Sequence, residues 1–181
     1  MRGKRSAANG ATRNPLILGL GWTGRAHAER LRQDKSLLDQ SVAFDIVGLE
    51  TYCGYDRTDF DRELISRLVH LASTVLVTID GTAEDGIRMA KYAAAQARNS
   101  DVPLEVIFNI AASWEGSKAA HRSSLLITFL LSMCATVIKI DGEQLFVDEE
   151  IQDYTAYASR LEDARFKAIR TWSIVTASKF G

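Results

Sequence analysis

The chain has 181 residues, a formal net charge of −1, 46% hydrophobic and 25% charged residues, which is the composition of one globular domain with enough apolar material for a core. Arg2, Lys4, Arg5 and Arg13 stand in residues 1–14 with no acid, so of the 22 basic residues 18 remain against 23 acids in the body. A mildly acidic body argues against a general nucleic-acid-binding surface, and the basic start lacks the apolar core of a secretory leader.

In chain order, residues 1–14 read as a disordered basic tail. Pro15–Leu20 is a short apolar run that reads as a buried strand, and residues 23–38 follow as a helix. Residues 42–51 form a second strand ending in Glu50 and Thr51, and the turn-rich 52–59 connects it to a helix over 60–72. Residues 73–81 are a third strand, 82–100 a helix, 103–111 a fourth strand, 115–134 a long helix and 135–142 a fifth strand. One helix of about thirty residues closes the chain from about 148. Strand and helix alternate, and four strands lack a polar alternation, as expected when helices cover both faces. The expected fold is α/β, a doubly wound and mainly parallel sheet over 15–147 followed by the helix 148–181. Ligands then bind beyond the carboxyl ends of the strands, at the loops 21–25, 50–56, 80–85, 111–116 and 141–144.

Cys53 and Cys134 lie far apart beside apolar residues and read as reduced thiols, which points to a cytoplasmic setting. His27, His70 and His121 share no ligand spacing with them, so no metal site is expected. Gly19, Gly21 and Gly24 have G-x-G-x-x-G spacing at a strand-to-helix junction, where backbone N–H groups and a helix dipole cradle phosphate. The bland alternative is a tight turn with close helix–strand packing and no ligand. Trp22, Thr23 and Arg25 are large for a phosphate cradle. If the ligand is a dinucleotide, Glu50 is the acid placed to hold a ribose, which admits an NAD(P)-binding reading. No catalytic acid–base pair accompanies it; His121 is the tempting general base, but a lone helical histidine is more simply a solvated one.

The segment 112–146 narrows the choice. A strand, Trp114-Glu115-Gly116, a helix, then a strand ending Ile140-Asp141-Gly142-Glu143-Gln144-Leu145 resembles the GTPase domain of the bacterial tubulin homologue FtsZ. Gly19-Leu20-Gly21-Trp22-Thr23-Gly24 is similar to that family's first glycine loop, and Asp80-Gly81-Thr82-Ala83-Glu84-Asp85-Gly86 stands where its glycine-rich signature loop would be. The last helix resembles the family's central helix, with Tyr154 where an aromatic stacks on guanine. The resemblance covers Pro15 to Phe180.

The resemblance implies a cytoskeletal, cell-division type of protein and a nucleotide site at Gly19, Gly21, Trp22, Thr23, Gly24, Gly81, Thr82, Glu115 and Tyr154. The departures imply that GTP or GDP binds weakly or not at all. Asp80, Glu84 and Asp85 set carboxylates where the family has donors, and a carboxylate repels a triphosphate unless a cation intervenes. The family's basic residue after Glu-Gly falls near Ala119, with Lys118 and Arg122 close; its guanine-reading aspartate falls near Ala158 and its asparagine near Ala26. The chain stops at Gly181, before the catalytic loop and C-terminal domain of the family. The expectation is therefore a pseudo-GTPase that does not hydrolyse GTP, with a non-hydrolysing GTP/GDP switch and an NAD(P)-binding protein as alternatives. The partner is the chain itself or a full-length FtsZ-like protein. The run Leu125–Ile138 is too short to span a bilayer and apolar nearly all round, so it reads either as a helix facing the core on one side with an exposed rim or as a subunit interface; on the second reading Leu125, Phe129 and Leu130, with Trp172 on the last helix, are the expected contact residues of an oligomer.

Overall fold

The apolar run after Pro15 becomes β1 (Leu16–Leu20), buried along its whole length. A computed structural model describes residues 13–38, 42–53, 58–133, 136–148 and 153–180. Residues 1–12 of the basic segment, the Cys53 and Cys134 thiols and residues 149–152 lie outside what is described. β1 is followed by α1 (Gly21–Leu31), α2 (Lys35–Leu38), β2 (Asp45–Leu49), β3 (Tyr52–Cys53), β4 (Thr58–Asp59), α3 (Arg62–Leu71) and β5 (Val75–Ile79). Then come α4 (Glu84–Asn99), β6 (Leu104–Ile110), a 3-10 turn at Ser113–Glu115, α5 (Ser117–Ser132), β7 (Thr136–Asp141), α6 (Gly142–Asp148) and α7 (Tyr154–Phe180).

The main sheet has the order β2-β1-β5-β6-β7, and every pairing in it is parallel. Side chains of a strand alternate between faces, and the two cores follow that alternation. Leu16, Leu18, Val75, Val77, Val106 and Phe108 face α3, α4 and α5, where they meet Ile65, Met89, Ala93 and Leu126. Ile17, Leu76 and Ile107 face the other way, onto Leu31, Leu37, Ile169 and Trp172 of α1, α2 and α7. The sheet is doubly wound as expected. Chain order reverses between β1 and β5, so the crevice above their carboxyl ends is the switch point where such folds bind ligands.

Four local expectations are corrected. Residues 23–38 are not one helix: α1 starts at Gly21, and the bonds from Gln33 N to Arg30 O and Asp34 N to Leu31 O close a tighter turn before α2. The 52–59 connection holds a two-stranded antiparallel ribbon, β3 with β4. The last helix starts at Tyr154, where Asp153 accepts from Ala156 N at 2.8 Å, and the expected 141–144 loop instead opens a short helix, α6, whose Glu143 N and Gln144 N donate to the Asp141 carboxylate (both 3.1 Å). Finally, two of the four expected contact residues belong to the core. Ala119, Ser123, Leu126 and Leu130 form a buried stripe at helical spacing, and Leu130, at 0% exposure, belongs to the chain's own core. Trp172, at 5%, sits in the second core against Phe44. Neither is placed to make a subunit contact; Leu125 is exposed and Phe129 half-buried.

Candidate functional site at the switch point

The first glycine loop joins β1 to α1. Gly21 has φ +74°, which favours glycine. Gly19 and Gly24 are small for a different reason: a Cβ on Gly19 would strike the Gly24 carbonyl, and one on Gly24 the Thr78 carbonyl. These two glycines let α1 lie directly on β1 and β5. Trp22 is 78% exposed and turned away from the loop. Arg25 is engaged sideways, donating to Glu29 Oε1 at 2.9 Å and to Glu50; the hydrogen bond to Glu29 and the charge of Glu50 hold its guanidinium above its ordinary pKa. The expected crowding by Trp22 and Arg25 is thus corrected, and Glu50, the candidate ribose ligand, is already held by Arg25. What approaches the loop is Asp85: a methyl built on Gly21 would lie 3.4 Å from Asp85 Oδ2 and 3.2 Å from Gly86 Cα. α1 itself has no side-chain cap and no acid in its first turn.

The signature loop, between β5 and α4, has the donors of residues 81–83 occupied from within. Asp80 Oδ1 accepts from Thr82 N at 2.9 Å and from Thr82 Oγ1 at 2.7 Å. Gly81 N donates to Asn109 Oδ1 at 3.1 Å, and Ala83 N to Asp80 O at 3.3 Å. The Gly81 carbonyl accepts from Ser123 Oγ at 2.8 Å, so α5 clamps the loop from behind. A Cβ on Gly81 would collide with the Asn109 carbonyl and the Phe108 ring. Glu84 and Asp85 fill the first turn of α4, where carboxylates complement the helix dipole.

Across the sheet, the loops after β6 and β7 are tied together. Glu115 accepts from Ala112 N at 2.7 Å, closing its own turn. Glu143 accepts from Ser113 N and Ser113 Oγ, both at 3.1 Å. Trp114 stands edge-on to Tyr157 at 5.4 Å, and Tyr154 lies 6.0 Å from Tyr157 and is exposed. The Tyr157 hydroxyl sits where a Cβ on Gly142 would be; burial, then the Glu115 charge, push its pKa up to about 12.

Beneath both glycine loops runs a polar network that sequence reasoning missed. His27 on α1 is buried, with Nε2 2.6 Å from Glu162 Oε2 and Nδ1 3.4 Å from Thr78 Oγ1. Arg165 on α7, 2% exposed, donates to Glu162 Oε1 at 3.2 Å and to Asn109 Oδ1, the atom that also receives Gly81 N. Burial lowers the Arg165 pKa, opposed by the charges of Asp80 and Glu162. Burial works to raise the Glu162 pKa, but the hydrogen bond and charge of His27, with Arg165 and Arg30, outweigh it and leave it lowered. The signal was available: Tyr157, Leu161, Arg165 and Ile169 recur every four residues, so Arg165 falls on the buried stripe of α7. His27 likewise shares the buried face of α1 with Gly24, Ala28 and Leu31.

Gly19, Gly21, Gly24, Gly81 and Thr82 therefore converge at the switch point, with Thr23 half-buried beside them. Glu115 and Tyr154 meet around Tyr157 on the β6–β7 side, and Trp22 joins neither group. Among the described residues no group of three or more His, Cys, Asp or Glu side chains is arranged to hold a metal ion, and no helix is long and apolar enough to cross a membrane.

No family model and no curated protein matches the chain. Solved structures do. The FtsZ W319Y mutant of M. jannaschii superposes with TM-score 0.73 at 12% identity, over 89% of this chain and 56% of that one. The empty FtsZ dimer of M. jannaschii gives 0.70 at 13% identity, over 90% and 55%. The fold is that of the FtsZ/tubulin GTPase domain. CetZ from Methanosaeta thermophila strain DSM 6194 shares it too, with TM-score 0.65 at 13% identity over 87% of this chain and 52% of that one. The chain spans about half the length of these three proteins.

Proposed function

We propose that this FtsZ-type domain is a pseudo-GTPase: it does not hydrolyse GTP, binds GTP or GDP weakly or not at all, and acts through protein contact. The observation that carries the reading is the self-liganded signature loop. Gly81 N, Thr82 N, Thr82 Oγ1 and Ala83 N point to acceptors of the chain itself. A phosphate would have to displace the Asp80 carboxylate from Thr82 and settle near Asp85, in a crevice whose charge repels it. Releasing any nucleotide from purified protein by denaturation tests this: the expected eluate holds none, and a stoichiometric guanine nucleotide overturns the reading.

The contact partner is a second copy or a full-length FtsZ-like protein. The exposed Leu125, Leu131, Ile174 and Val175 support contact by an apolar surface. So does a groove of about 550 Å³ between α7 and the β6–β7 edge, lined by Ile138, Ala168, Trp172 and Val175 with Lys167 and Lys179 among its residues.

The alternative, a switch that keeps GTP or GDP without hydrolysing it, is favoured by the first loop, which keeps its positive-φ Gly21 and is not covered by Trp22. The NAD(P) reading loses support from the engagement of Glu50 by Arg25.

A further inference from the structure

The polar network connects elements that are distant in sequence. It runs from Thr78 on β5 to His27 on α1, to Glu162 and Arg165 on α7, to Asn109 on β6, to Gly81 in the signature loop, and through the Gly81 carbonyl to Ser123 on α5. Thr78, His27, Arg165, Asn109 and Ser123 are all buried. Buried polar partners in a low dielectric are costly to leave unpaired, so each bond in such a chain supports the next. Asn109 Oδ1 is the node. Its two lone pairs serve two donors, the Gly81 amide of the loop and the Arg165 guanidinium of α7.

We propose that α7 and the signature loop form one conformational unit, coupled through Arg165 and Asn109 and extended to α1 through the Glu162–His27 bond. In this unit the seating of α7 decides whether the 81–83 amides stay self-liganded. If α7 shifts, Asn109 loses the cation that orients its carbonyl and the Gly81 amide loses a fixed acceptor. By reciprocity, any change that pulls the loop away loosens α7 to the same extent. His27 makes the coupling testable, because its ring bonds are to Thr78 and Glu162 and none reaches the 81–83 loop. The inference does not depend on whether nucleotide binds.

Residue-resolved hydrogen exchange on the full chain tests it. In His27→Leu the amides of Gly81, Thr82 and Ala83 are expected to exchange about tenfold faster, the size of a typical coupling. The strand amides of Leu18 and Leu76 should remain protected. Thr78→Val removes the other ring partner of His27 but leaves the path to α7, and should not change the loop. The reverse arm uses Ser123→Ala, which frees the Gly81 carbonyl and is expected to speed exchange at residues 162–169 of α7. The proposal is overturned if Ser123→Ala affects the loop alone. It is equally overturned if His27→Leu loosens α7 with the loop unchanged, or if loop and strand amides accelerate by one common factor. Should His27→Leu not fold, Ser123→Ala decides alone.

Discussion

The two glycine loops at the switch point are built differently. The first, Gly19 to Gly24, is defined by its backbone: Gly21 holds φ +74°, and Gly19 and Gly24 let α1 pack on β1 and β5. The second, Asp80 to Gly86, has donors turned inward, onto Asp80 and Asn109. Glycine spacing therefore serves more than one structural purpose here. In the first loop two of three glycines answer to helix–strand packing. In the second, an aspartate placed two residues before a threonine accepts from that threonine's amide and hydroxyl.

Changes beneath the loops should break the comparison most strongly. Arg165→Met takes a buried donor from Asn109 and one of two partners from the part-exposed Glu162, and should cost about 2–3 kcal/mol, read by urea denaturation. Gly81→Ala sets a methyl against the Asn109 carbonyl and Phe108 and should cost about 1–3 kcal/mol. Gly21→Ala strains a single positive-φ position and should cost about 1–2 kcal/mol. Trp22→Ala, on an exposed side chain, should stay within about 0.5 kcal/mol of the parent. A ranking in which Gly21→Ala exceeds Gly81→Ala would reverse the assignment of which loop is the more tightly built.

A pH series sharpens the same contrast. The Glu162 pKa is lowered on folding, so its carboxylate adds stability above the unfolded-state value, about 4.3. That contribution fades as pH falls through the lower folded value. Glu162→Gln should therefore be less stable than the parent near neutrality, and the gap should close in acid. At the other end, the raised Tyr157 pKa means that stability is lost as pH rises from about 10 through about 12. Tyr157→Phe should flatten that alkaline loss, as seen in thermal unfolding.

Much of the fold was legible because its signals are local. Apolar runs such as Leu16–Leu20 and Val75–Ile79 announce buried parallel strands, and their alternation with helices fixes a doubly wound sheet. The break after Leu31 and the short helix α6 were not legible, since each depends on local bonds that propensity does not encode. Leu130 and Trp172 were read as surface because composition shows how apolar a helix is but not which neighbour covers it. The glycines of the site were visible by spacing. The residues that decide its chemistry, Asn109 and Arg165, were not, because they reach the loop from β6 and α7 through tertiary contacts.

On the proposed reading, the donors of residues 81–83 stay on the chain's own acceptors and no nucleotide takes their place. Isothermal titration of the purified chain with GTP and GDP in the presence of magnesium tests it most directly, at protein concentrations well above micromolar. No saturable heat is expected for either nucleotide. A saturable isotherm with micromolar or tighter affinity would contradict it, and would show that Asp80 gives up Thr82 to phosphate.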